Sequence, residues 1–135
     1  MDKHYRDAMV EHIEELEEEL SVYRTYVLTE GAANLMAYRA IERAMQLLIE
    51  ACIGIAKQSI KGQGKQVPSD ARKAFEKMAE LGMDVMTSDW KSIIGMRNAL
   101  VHDYLNLDRE RVLDVVRGGQ YQVLIKFSRQ ALKNY

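Results

Sequence analysis

Leu47-Leu48-Ile49-Glu50-Ala51-Cys52-Ile53-Gly54-Ile55-Ala56 carries a single charge in ten residues. Wound at 3.6 residues per turn, it presents apolar groups in almost every direction. A helix of that kind lies among other helices rather than on a surface. The pattern continues on both sides, so a central helix is expected from about Ala33 to Ile60. Glu50 stands out, because an acid on a central helix is costly unless a donor or a cation meets it.

The flanking sequence is helical too. Tyr5, Met9, Ile13, Leu16, Leu20, Tyr23 and Val27 recur in steps of four and three, which marks one face of a helix, with glutamates filling the others. Seven-residue spacing of this length also suits a seam between helices, including one between two copies of the chain. Thr29-Glu30-Gly31 ends it. Lys61–Pro68 (KGQGKQVP) is the one obvious loop. Its Gly62, Gly64 and Lys65 invite a phosphate-loop reading, but Ser59 stands where the Walker A pattern needs its first glycine and Gln66 where it needs Ser or Thr. A mobile polar connection is the reading that remains. Pro68-Ser69-Asp70 opens a third helix with Ser69 as N-cap, ending near Gly82. Thr87-Ser88-Asp89 caps a fourth, from Trp90 to about Tyr104. Leu107-Asp108 opens a fifth, which Gly118-Gly119 should weaken or kink at ~1 kcal/mol per glycine. No strand alternation competes. The expected architecture is all-α, a five-helix antiparallel up-and-down bundle.

Length and composition bound the rest. The 135 residues fit one domain, 1–135, able to bury roughly two-thirds of its surface. One cysteine, Cys52, excludes an internal disulfide and any multi-cysteine metal site, and reads as a buried small hydrophobe. No apolar run approaches the ~20 residues of a membrane span, and MDKHYRD has no signal-peptide character, so a cytoplasmic protein is expected. There is no metal-ligand spacing of His and Cys, no His-Glu-x-x-His and no serine elbow; His4 and His12 read as solvent-exposed bystanders. Neither a metal nor a cofactor is called for. The net charge of −1 hides an asymmetry: residues 1–30 hold nine acids and three bases, the remainder eleven acids and sixteen bases. Such a balance argues against DNA as the primary target, yet permits a local basic groove.

The fourth helix carries the chemistry. With Trp90 as origin and about 100° per residue, Ile94, Arg97, Val101 and Tyr104 lie within roughly 40° of one line, which sets Arg97 inside an apolar stripe. Arginine is almost never fully buried unpaired. Either a partner faces it, Glu50 being the candidate, or the stripe borders a cleft where the guanidinium serves a ligand. His102 lies about 140° around the helix from Arg97, with Asn98 four residues behind on its own face. The two converge if Arg97 reaches round, if the helix end loosens toward Tyr104, or if two copies meet on a two-fold axis.

Met96-Arg97-Asn98-Ala99-Leu100-Val101-His102-Asp103-Tyr104 resembles the Arg-x4-His-x-Tyr motif of the HepT toxins, a branch of the HEPN superfamily. Gly95, Asp108 and the run Ile49-Glu50-Ala51-Cys52-Ile53 are similar to that family as well, and the likeness covers nearly the whole chain. The resemblance implies a HEPN-like fold and a toxin partnered by a minimal nucleotidyltransferase antitoxin. It also implies a homodimer that cuts RNA as a metal-independent endoribonuclease at the dimer cleft. Arg97 and His102 are then the catalytic residues, supported by Asn98, Glu50 and Asp103. Tyr104 becomes the acceptor of AMP transferred by the antitoxin.

The residues suit that chemistry. Metal-free RNA cleavage needs a group to deprotonate the 2′-hydroxyl, another to protonate the 5′-oxygen, and a cation for the phosphate. Imidazole serves as base or acid near neutrality, and the arginine fork grips phosphate oxygens. One histidine per chain falls short of two proton carriers, whereas two chains supply His102 twice. The alternative is a non-catalytic HEPN module that binds nucleotide or acts as an adaptor for the transferase. A blander one is a helical scaffold with Arg97 in a core ion pair.

Overall fold

Six helices and no strand occupy the residues that the computed structural model describes, 1–83, 90–102 and 108–135. They are α1 (Lys3–Glu30), α2 (Leu35–Gly62), α3 (Ala71–Glu80), α4 (Trp90–His102), α5 (Arg109–Arg117) and α6 (Tyr121–Asn134). α2 is the centre, as its composition requires, and packs against all five others. Leu48, Cys52, Ile55, Ala56 and Ile60 along it are wholly excluded from solvent. No helix among the described residues is long and apolar enough to cross a membrane.

α1 uses its apolar face inside the chain. Ile13, Leu16, Leu20 and Val27 are buried in the common core, so the heptad-like face is not a seam left open for a second copy. α6 lies beside α2 in the same direction: Cys52 meets Leu124 and Ser128, while Gly62 faces the last residue, Tyr135. Burial pushes the Cys52 thiol up to about 12, which fits an inert packing group.

The five expected helices are six because Gly118-Gly119 stops the chain instead of kinking it. Gly119 adopts φ +71°, the left-handed conformation that ends helices. The Gln120 N–H donates back to the Val115 carbonyl at 3.0 Å, closing the turn. From α1, Arg24 Nε donates to the Arg117 carbonyl at 3.1 Å, so a distant cation satisfies the end of α5. The N-cap of α3 is Asp70 rather than Ser69. Asp70 accepts from the Lys73 N–H at 3.0 Å, and that bond holds its carboxyl below the ordinary range. The Ser69 carbonyl instead accepts from Lys57 Nζ at 2.8 Å. Asp108 caps α5 as expected, accepting from the Arg111 N–H at 3.3 Å. The expected cap Thr87-Ser88-Asp89 lies outside the described residues.

Gly119→Ala should therefore destabilise the fold. It forces a side chain into positive φ, and its Cβ would sit 3.0 Å from Arg24 Cζ. A loss of about 1 kcal/mol or more is expected, read as a lowered urea midpoint at unchanged slope.

Candidate active site

α4 is mounted firmly at its first turns. Trp90 stacks on Phe75 of α3 with ring centroids 3.4 Å apart and meets the edge of Phe127 at 5.2 Å. Arg111 of α5 donates to the Ser92 carbonyl at 3.2 Å and to its hydroxyl. Ile94, Met96 and Leu100 are the buried residues of the helix. Val101 is 42% exposed, so the buried arc is turned toward Met96 and Leu100 and away from the stripe drawn through Val101. The helical wheel fixes the angles between residues, whereas the packing of α4 on α2 and α3 decides which arc is covered.

Arg97 falls between Ile94 and Leu100 on the wheel, yet its side chain still reaches solvent. Its Nη1 is 3.5 Å from Glu50 Oε1, and the two side chains are 21% and 43% exposed. Glu50 is thus not stranded in the core: it occupies a line of α2 that reaches water, and it meets the cation expected of it. The pair is long and half-solvated. Arg97 Nε is buried with no hydrogen-bond partner among the described residues. An arginine with an unused buried donor and a loosely held carboxylate still has capacity for an anion.

His102, the last residue of α4, is exposed, and so are Asn98, Gly95 and Lys91 on the same side of the helix. The structure joins Arg97 to Glu50 and leaves His102 and Asn98 on the open face, as their angular separation requires. Asp103 and Tyr104 lie outside the described residues. At the N-terminus His4 is exposed, while His12 is half-buried rather than free. A cavity of about 430 Å³ opens between α4, α5 and α6, with Met45, Ile49, Ile93, Met96 and Val115 among its lining and Arg111 at its edge. Sequence patterning does not point to it, since the apolar part of its wall consists of positions that read as core and its polar part, Ser92, Arg111, Asp114 and Gln120, is scattered over three segments.

Fold and site together define an all-helical domain whose fourth helix carries an arginine at the edge of the core and a histidine in the open. The model of the Ribonuclease HepT-like family matches residues 7–131, and the chain belongs to that family. It is 32% identical over 75 residues to the mRNA nuclease HepT of Shewanella oneidensis; the match spans 54% of this chain and 56% of that protein, about half of each. The fold is similar to that of a chain in a crystal structure of a toxin–antitoxin with AMP-PNP. There the TM-score is 0.74 at 20% identity, with 98% of both chains covered.

An ion pair as exposed as Glu50–Arg97 should contribute little to stability. A double-mutant cycle of Glu50→Gln and Arg97→Gln, followed by urea unfolding, should give a coupling below about 1 kcal/mol. A coupling of about 3 kcal/mol or more would mark a structural pair and remove Arg97 from the candidates.

Proposed function

We propose that this protein is the toxin of a toxin–antitoxin pair and a metal-independent endoribonuclease acting in the cytoplasm. The observation that carries the reading is Arg97: a guanidinium at the solvent border with an unused donor, on the helix that also exposes His102, in a chain of the HepT-like ribonuclease family. Its named relative, an mRNA nuclease, supports RNA as the substrate, and the toxin–antitoxin neighbour supports an antitoxin partner.

The active form is a homodimer in which the exposed faces of two α4 helices meet about a two-fold axis. Two copies of His102 then share one cleft. One imidazole takes the proton of the 2′-hydroxyl as its oxygen attacks phosphorus; the other protonates the departing 5′-oxygen. A 2′,3′-cyclic phosphate and a free 5′-hydroxyl result. Arg97 stabilises the charge gathering on the phosphoryl oxygens, Glu50 holds the guanidinium in place, and Asn98 and Asp103 support the histidine end of the helix. The partner is a minimal nucleotidyltransferase. It passes AMP from ATP to the Tyr104 hydroxyl with release of pyrophosphate, and the added negative charge near Arg97 competes with substrate phosphate.

Incubation of the purified protein with RNA and excess chelator tests the reaction. Wild type should cleave. His102→Ala should lose cleavage by a factor of at least about 100, the usual contribution of a general acid or base, while its unfolding midpoint stays unchanged because the imidazole is exposed. Arg97→Lys keeps the charge but loses the fork and should remain impaired. Tyr104→Phe should cleave normally and resist AMP-dependent silencing. RNA left whole by the wild type would favour the adaptor reading instead.

A further inference from the structure

The open line of α2 continues well beyond the Glu50–Arg97 pair. Taking Glu50 as origin, Arg43, Lys57 and Lys61 all fall within about 20° of it around the helix. Lys57 and Lys61 stand roughly 10 Å and 16 Å farther along at 1.5 Å per residue. Past the end of α2, Lys65 is turned back by the bond from its N–H to the Ile60 carbonyl, 3.4 Å. Lys77 of α3 faces the same corner, lining a shallow hollow with Gln66, Val67, Pro68 and Ser69. Lys57 is fastened to this hollow through the Ser69 carbonyl.

The balance of charge along this path is one-sided. Residues 57–77 hold six cations and two acids. Both acids are engaged: Asp70 caps α3, and Glu76 accepts from Arg72 at 3.1 Å. Among the described residues Lys61, Lys65 and Lys77 have no acidic partner within salt-bridge distance. A row of flexible point charges leading to a phosphate-handling arginine fits a polyanion bound by its backbone, without reading of bases.

We propose that the line from the Glu50–Arg97 pair through Lys57 and Lys61 to Lys65 and Lys77 holds the sugar–phosphate backbone of single-stranded RNA on one side of the cut. This rests on the ribonuclease reading above and adds the route by which substrate is held. The lysines position the strand, and the chemical step does not use them.

The test compares Lys61→Ala/Lys65→Ala/Lys77→Ala with the parent chain, Lys57 being left intact because it fastens the loop. Binding of a labelled single-stranded RNA long enough to span α2 is measured against salt, both chains carrying His102→Ala so that the probe survives. Three lost phosphate contacts should reduce the slope of log affinity against log salt by about 2. With His102 restored, the triple variant should show a raised KM and an unchanged kcat. The urea midpoint should not move, and Lys126→Ala on α6 should leave the slope as it was. An unchanged slope and KM in a folded triple variant would overturn the path while leaving the ribonuclease reading intact. So would a triple variant that alters the sedimentation of the protein alone and leaves RNA binding untouched, since the lysines would then belong to a subunit contact. If wild type binds RNA but does not cut it, the ribonuclease reading fails and the slope comparison still decides the path. A chain that binds no RNA at any salt overturns both.

Discussion

All the other helices lean on α2, and the rest of the structure depends on how completely they cover it. A helix of 28 residues is about 42 Å long, and five neighbours take up its apolar faces. What they leave is a narrow polar line. Glu50 is tolerated on a central helix because it lies on that line, half in water, where the desolvation that would make a buried carboxylate prohibitive never arises. The most buried element of the domain therefore also supplies part of the floor of the candidate site, which gives that floor the rigidity of the core.

α4 is anchored unequally, and the inequality suits its work. Its first turns are held by the Trp90–Phe75 stack and by Arg111 on Ser92, while its last turn presents His102 to solvent. Between them, Gly95 lies on the open side, where an added Cβ would meet nothing within 4 Å among the described residues. A mid-helix glycine costs roughly 0.5–1 kcal/mol relative to alanine, and packing among the described residues gives no return for it. Absence of a side chain there leaves room for another backbone to come close, as the proposed meeting of two α4 helices needs. A regular helix separates Arg97 from His102 by about 140°, which is why the proposed site draws on two copies.

Much of this was legible in the residues. Periodicity places α1 and α2, the acid before Arg109 marks the cap of α5, and one unmatched acid and one unmatched arginine, Glu50 and Arg97, point to each other. The parts that were not legible share a cause: each was decided by a group far away in the chain. Gly118-Gly119 reads as a weak spot, and becomes a full stop because Arg24 crosses from α1 to satisfy the Arg117 carbonyl. Ser69 and Asp70 are both good caps, and Lys57 settles the matter by taking the Ser69 carbonyl. Val101 falls on the same wheel position as buried neighbours, yet the coverage given by α2 and α3 ends before it. The cavity beside Met96 draws its lining from α2, α4, α5 and α6, with Ser92, Arg111, Asp114 and Gln120 scattered among apolar residues, so no local pattern announces it.

A net charge of −1 also conceals how the helices divide the signs between them. The acids of α1 stay largely on its outer face, and among the described residues Glu17 alone makes a close cross-helix pair from it, with Arg129 at 2.6 Å. Lys57 and Lys61 lie at the end of α2 nearest Lys77 of α3, while Arg39 and Arg43 lie toward its start. At physiological ionic strength charges are screened beyond about 8 Å, so a charged ligand responds to the local patch and not to the total. One side of the bundle is then acidic, while the lysines of α2 and α3 make a local patch of the opposite sign. A nearly neutral protein can in this way attract an anion at one place and repel it at another, as the proposed path for RNA requires.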